Sequence, residues 1–109
     1  MALVIPRRFE VWWVNLSPTI GSEIRKTRPC VIVSPDQLSI LRTVTVVPLT
    51  TSSKDYLYRV SIRFLGRDGQ AALDQIRTVD KRRLISCVGV LPDASAKRIL
   101  FGLREMFAE

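Results

Sequence analysis

The apolar residues of this chain come in short runs rich in valine, isoleucine and aromatics, each bounded by proline, glycine, serine or aspartate. The runs are FEVWWVNL at 9–16, PCVIV at 29–33, TVTVVPL at 43–49, YLYRVSIRF at 56–64 and SCVGVL at 86–91. Runs of this length and composition are too short for typical helices and fit a pleated, partly buried strand. The first is apolar throughout, which predicts burial on both faces. None approaches the ~18 to 20 apolar residues that span a bilayer, so no membrane helix is expected. At the N-terminus, MALVIPRRF carries its charges after the apolar stretch, whereas a secretory signal has them before it; a cytoplasmic location is expected.

Only the C-terminal segment reads as a helix. Following Pro92 and the capping candidate Asp93, the residues Ala96, Ile99, Leu100, Leu103 and Phe107 repeat at helical spacing and predict a stripe packed on the core. Between the strands, SPTIGSEIRKT at 17–27 is a long loop, Ser34, Pro35 and Asp36 can open one helical turn, and GRDG at 66–69 makes a turn before QAALDQIRTVD. Roughly five to seven short strands closed by one helix define a mainly β chain, a small SH3-like β-barrel or strongly curved sheet. A single domain over 1–109 is expected.

Charge and residue types restrict the chemistry. The chain has 17 basic and 10 acidic residues, a net charge of +7, and 13 of its basic residues are arginine. Arginine's planar fork suits phosphate oxygens and stacks on bases, which points to a nucleic-acid partner, with a solvated basic surface kept for solubility as the equal alternative on composition alone. Cys30 and Cys87 both sit in apolar strand settings and are expected to be buried free thiols. There is no histidine, so imidazole acid–base catalysis and Ser-His or Cys-His nucleophile systems are excluded. Two distant cysteines make no metal site, and no glycine-rich phosphate loop is present, so neither a metal nor a cofactor is expected. RNA fits what remains, because its own 2′-hydroxyl can attack the adjacent phosphate. A protein then need only orient the strand, stabilise the phosphorane and move protons.

Two segments supply suitable groups: GSEIRKTRP at 21–29 holds Glu23 and Arg28, and VVPLTTS at 46–52 holds Thr50, Thr51 and Ser52. Taken in order, NLSPTIGSE, TRPCVIVS, VVPLT and LDQIRTVDKRRL resemble the MazF/PemK family of toxin endoribonucleases, over nearly the whole chain from about Arg8 onward. The resemblance implies a homodimer with an SH3-like barrel and sequence-selective, metal-independent cleavage of single-stranded RNA to a 2′,3′-cyclic phosphate and a 5′-hydroxyl. It also implies inhibition by a cognate acidic antitoxin of the MazE type. By motif, Arg28 of TRP and Thr50 of PLT match the catalytic positions. Ser22 and Glu23 of GSE and Gln75 of DQIRT match positions lining the RNA groove, with Arg77 a motif arginine of the same block and Thr51 and Ser52 beside Thr50 as further RNA contacts. Arg25, Lys26 and Thr27 stand where the family usually has a glycine or small residue, and Phe9-Glu10 replaces its glycine-aspartate.

Individual roles follow from chemistry. Pro29 disfavours helix for the residue before it, so Arg28 is extended at a loop-to-strand junction. Deprotonating a guanidinium at pH 7 costs on the order of 7 to 8 kcal/mol, which makes Arg28 a charge stabiliser and proton donor rather than the initiating base. Glu23 is a feasible base, the competing role being a loop salt bridge to Arg25 or Lys26. The Thr50 hydroxyl can donate to a phosphate oxygen. Consecutive Trp12 and Trp13 point to opposite faces of a strand, and the outer one is expected in packing or dimerisation, with base stacking as the alternative. The basic DKRRL at 80–84 is a solvated turn or a phosphate patch. A different class of function, a non-enzymatic barrel gripping a protein target such as gyrase, is also compatible with the fold. The joint presence of Arg28 and Thr50 separates the two, since a pure binder does not require them.

Overall fold

The computed structural model describes residues 5–109. Among them lie seven strands: β1 (Glu10–Asn15), β2 (Thr27–Ile32), β3 (Thr43–Thr50), β4 (Arg59–Phe64), β5 (Arg67–Ala72), β6 (Arg77–Asp80) and β7 (Leu84–Val90). Short 3₁₀ turns at Asp36–Leu38, Leu73–Gln75 and Lys81–Arg83 precede the single helix α1 (Asp93–Met106). The sheet runs β4-β5-β3-β2-β1-β7, all neighbours antiparallel, and β6 pairs separately with β3. The expected SH3-like, strongly curved architecture is present, but the sheet does not close: β4 and β7 both end as edges.

The curvature originates in β3. Its first half pairs with β6, from Thr43↔Asp80 to Val46↔Arg77, and its end pairs with β5, at Leu49↔Ala71 and Thr50↔Gln70. Pro48 falls in the gap between these pairings, where a residue without an N–H interrupts no ladder on that side. Alternation along β2 and β3 then builds two cores. Val31, Val33, Val47 and Leu49 pack with Ile62, Leu73 and the helix residues Ala96 and Ile99, while Cys30, Ile32, Val44 and Val46 pack with Val14, Leu16, Val79 and Leu84 on the opposite face. The two-faced burial expected of the first strand is thus met, with Val11 in one core and Val14 in the other.

The structure corrects several local expectations. The turn at 66–69 is a two-residue hairpin at Leu65-Gly66, both at positive φ (51° and 75°), so Arg67, Asp68 and Gly69 already belong to β5. The strand expected from 56 starts at Arg59, after Tyr58 takes a left-handed conformation (φ 64°). Asp93 is not a cap: Pro92 holds the flanking position without a side-chain bond, and Asp93 lies in the first turn, where its charge favours the helix dipole. Phe107 leaves the apolar stripe because helical backbone ends at Met106; the packed positions include Ala96, Ile99, Leu103 and Met106, and Phe107 is 71% exposed. Cys30 is buried as expected, and burial pushes its thiol up to about 12. Cys87 is exposed, because β7 is an edge strand with one face uncovered.

Two contacts seat the helix and β4. A Cβ on Gly102 would sit 2.5 Å from Leu73 Cδ1, so a larger residue there would push the Leu73 side chain aside where α1 meets the Leu73–Gln75 turn. The Arg59 guanidinium forms a bidentate pair with Asp74 (2.6 and 3.1 Å) and lies 5.1 Å from the Tyr56 ring. That hydrogen bond is the main reason the Asp74 carboxyl is held below its ordinary range.

Candidate active site

Arg28 and Thr50 are brought together by register. The β2–β3 ladder runs Ile32↔Val46, Val31↔Val47, Cys30↔Pro48, and continuing it places Thr50 opposite Arg28. The pairing stops at Pro48 because β3 turns to pair with β5, while Arg28 stays paired to Val14 of β1. The strands splay, and the wedge between them is a cavity of about 320 Å³ whose lining includes Trp13, Arg28, Thr50, Thr51, Phe64 and Arg67. Apolar Leu49, Ile62 and Val88 complete much of its wall.

Both key side chains are positioned but keep free donors. The Arg28 Nε–H donates to the Arg25 carbonyl at 3.2 Å, and among the described residues the guanidinium forms no salt bridge, which leaves its terminal nitrogens for a ligand. The Thr50 Oγ1 accepts the Ser52 backbone N–H at 3.1 Å, so its own hydroxyl hydrogen is available to donate. Gln70, the buried polar side chain of the core, fixes the other end of this segment: its Oε1 accepts the Lys54 N–H (3.1 Å) and its Nε2 donates to the Lys54 carbonyl (2.9 Å). Gly69 completes the arrangement from β5. A Cβ there would sit 2.5 Å from the Thr50 carbonyl oxygen, so the close approach of β5 to Thr50 requires glycine.

The remaining expected residues lie on the loop of residues 17–26 or hold it. Ser22 and Glu23 are exposed on the loop and do not line the cavity; Glu23 Oε1 accepts the Ile20 N–H at 2.7 Å. Neither expected salt bridge of Glu23, to Arg25 or Lys26, is formed. Gln75 Oε1 accepts the Ile24 N–H (3.2 Å), and Arg77 donates to the Leu16 carbonyl (3.2 Å), so the DQIRT block grips this loop from the side. Arg83 donates to the Asn15 and Ser17 carbonyls, and Arg82 pairs with Asp80 at 3.0 Å, which makes the DKRRL segment chiefly a brace. Trp12 is half-buried against the second core, its Nε1 donating to Glu10 (3.1 Å); Trp13 is the outer one and forms part of the cavity wall. Sequence reasoning missed Arg67, Gly69 and Gln70. Nothing in RDGQAA marks it as a strand: GRDG reads as a turn, and burial runs from exposed at Arg67 to buried at Ala72 instead of alternating.

A curled antiparallel sheet with splayed strands holds an unpaired guanidinium and a free hydroxyl over an apolar floor, a small site of hydrogen-bond donors. Residues 7–107 match the family described as PemK-like, MazF-like toxin of type II toxin-antitoxin system, and the chain belongs to this family. It is 36% identical to the endoribonuclease MazF9 of Mycobacterium tuberculosis over 94 residues, covering 76% of this chain and 80% of that protein. It is likewise 36% identical to the endoribonuclease toxin MazF of Escherichia coli over 76 residues, covering 69% and 68% of the two chains. Among solved structures, MazF from Deinococcus radiodurans (Form-I) superposes with a TM-score of 0.84 at 24% identity, over 94% of this chain and 96% of that one. A mycobacterial endoribonuclease in complex with its cognate antitoxin superposes with a TM-score of 0.77 over 92% of each chain.

Proposed function

We propose that this chain is a toxin endoribonuclease that cleaves single-stranded RNA sequence-selectively, without a metal, and is inhibited by a cognate acidic antitoxin of the MazE type. The observation that carries this reading is the register opposition of Arg28 and Thr50 across one cavity, each with donors left for a phosphate. An attacking 2′-hydroxyl displaces the 5′-oxygen of the next nucleotide and leaves a 2′,3′-cyclic phosphate. Negative charge builds on the non-bridging oxygens, which the Arg28 fork and the Thr50 hydroxyl meet, and a proton reaches the departing 5′-oxygen, for which Arg28 is the candidate donor. Glu23, through the oxygen not engaged by Ile20, is the candidate acceptor for the 2′-hydroxyl proton. Thr51 lines the cavity beside Thr50, and Ser52 follows it; Ser22, Gln75 and Arg77 act at the loop of residues 17–26 that borders the RNA path. A non-enzymatic grip on a protein target leaves this pair of donors without a purpose.

The protein acts as a homodimer in the cytoplasm on this reading. Ile85 and Val90 on the edge strand β7 are 60% and 64% exposed, apolar surface that a second copy would cover, and no helix among the described residues is long and apolar enough to cross a membrane. The test is direct: incubate the protein with mixed single-stranded RNA in excess EDTA and map the ends. Cuts ending in cyclic phosphate, absent when the 2′-hydroxyl at the cut step is replaced by hydrogen, are expected. Activity that disappears in EDTA and returns with magnesium, or efficient cutting of the all-DNA analogue, refutes it.

A further inference from the structure

A second cavity, of about 500 Å³, opens beside the first and shares Thr51, Ile62, Asp68, Gly69 and Gln70 with it. Its own wall has a different character: Ser52, Ser53 and Ser61 supply hydroxyls, and Arg98 reaches in from α1. Arg63 is also present but is committed to Asp68 at 3.0 Å and to the Gly66 carbonyl at 3.4 Å, so this carboxylate is neutralised within the wall. Arg98 forms no ion pair among the described residues and is the cation the cavity leaves unmatched. The serine segment between the two cavities is held at both ends, by the Ser52 N–H donating to Thr50 Oγ1 and by the pair of hydrogen bonds between Gln70 and the Lys54 backbone. The backbone that carries its hydroxyls therefore needs little ordering when a ligand arrives.

We propose that this cavity is a phosphate subsite for the RNA strand as it runs on from the Arg28–Thr50 cleft, with Arg98 as its cation and the hydroxyls of Ser52, Ser53 and Ser61 as its donors. The inference rests on the endoribonuclease reading. A single shared wall is what a continuous strand needs, because consecutive phosphates must pass from one cavity to the next without leaving the protein surface. The contribution is to binding a longer strand and not to the reaction at the cut step.

The experiment measures binding of an uncleavable RNA of about twelve nucleotides, deoxy at the cut step, against salt, with a dinucleotide spanning that step as the short probe. Arg98→Ala is expected to weaken binding of the long RNA about three- to tenfold near 0.1 M salt and to lower the salt slope by about 0.7, the loss of one phosphate contact on a single strand. Binding of the dinucleotide is expected to stay unchanged, and Arg98→Lys is expected to retain the slope. Arg104→Ala removes the same charge from the same helix outside the cavity and is expected to leave both probes unaffected. Both positions are exposed on α1 and alanine is a strong helix former, so the fold is preserved. Equal effects of Arg98→Ala and Arg104→Ala assign the change to net charge and overturn the subsite alone, as does an equal loss for the dinucleotide. Failure of the wild-type protein to bind RNA at all overturns the subsite and the endoribonuclease reading together.

Discussion

Arg28 and Thr50 owe their positions to nearby prolines, Pro29 directly after Arg28 and Pro48 two residues before Thr50. Pro29 keeps Arg28 extended, and Pro48 marks the point at which β3 turns away, so the two side chains face a wedge instead of a ladder. On the proposed reading, truncating either side chain removes stabilisation of the transition state and little packing. Arg28→Ala and Thr50→Ala are each expected to lower the single-turnover cleavage rate about a hundredfold or more with thermal unfolding nearly unchanged. Arg28→Lys is expected to be almost as slow, since an ammonium cannot reproduce the fork. Wild-type rates in all three variants remove the assignment. The pair was legible in the sequence because TRP and PLT are compact motifs, whereas Gln70 and Gly69 were not: what they do depends on a strand register that no local pattern shows.

At the scale of elements, the segment from Leu73 to Arg83 works as a clamp. Its Gln75, Arg77 and Arg83 bind backbone of residues 15–24, and its Asp74 binds Arg59 at the start of β4. The LDQIRTVDKRRL block is therefore largely a set of structural contacts around the candidate site. Asp74 gives this clamp a pH dependence. Its folded carboxyl titrates below the ordinary 3.8, because Arg59 donates to it, so its stabilising contribution is present above the unfolded pKa and is lost as pH falls through the folded one. Asp74→Asn is expected to be less stable than wild type near neutral pH, with the difference shrinking in thermal melts taken progressively below pH 4. A difference that stays constant over that window shows that the pair is not the cause. Strand existence was readable along most of the chain because β-branched runs signal it directly. Boundaries at Tyr58 and at the Leu65-Gly66 hairpin were less so, since each involves a non-glycine residue at positive φ, Tyr58 and Leu65.

For the molecule as a whole, the curved mainly β architecture followed from short apolar runs and one amphipathic helix. That the sheet stays open did not, because closure depends on which edges meet and not on the strands themselves. The open sheet leaves a surface with net charge +7 in which Arg28 and Arg98 have no acidic partner among the described residues. Such a field attracts an extended acidic peptide as well as an RNA backbone. An acidic, disordered antitoxin segment is expected to compete with RNA, and its affinity is expected to fall steeply between ~50 and ~500 mM salt as charges are screened. A titration in which saturating antitoxin leaves RNA binding undiminished, or in which its affinity ignores salt, rules out electrostatic competition.

The unequal settings of the two cysteines make the native protein its own labelling reagent. Cys30 is buried with its thiol pushed up to about 12, so it holds almost no thiolate at neutral pH, while Cys87 is exposed on β7, next to Val88 of the cavity wall. A maleimide dye is expected to attach twice per chain in denaturant and at Cys87 alone in the folded single chain, as read by intact mass; protection of Cys87 in the assembled protein would place that face of β7 beneath the second copy. The folded adduct then carries a fluorophore one residue from the cleft without any engineered substitution. In a two-copy assembly, a spin label at the same sulfur would give a single interspin distance, and so a direct ruler for how the two clefts are set against each other.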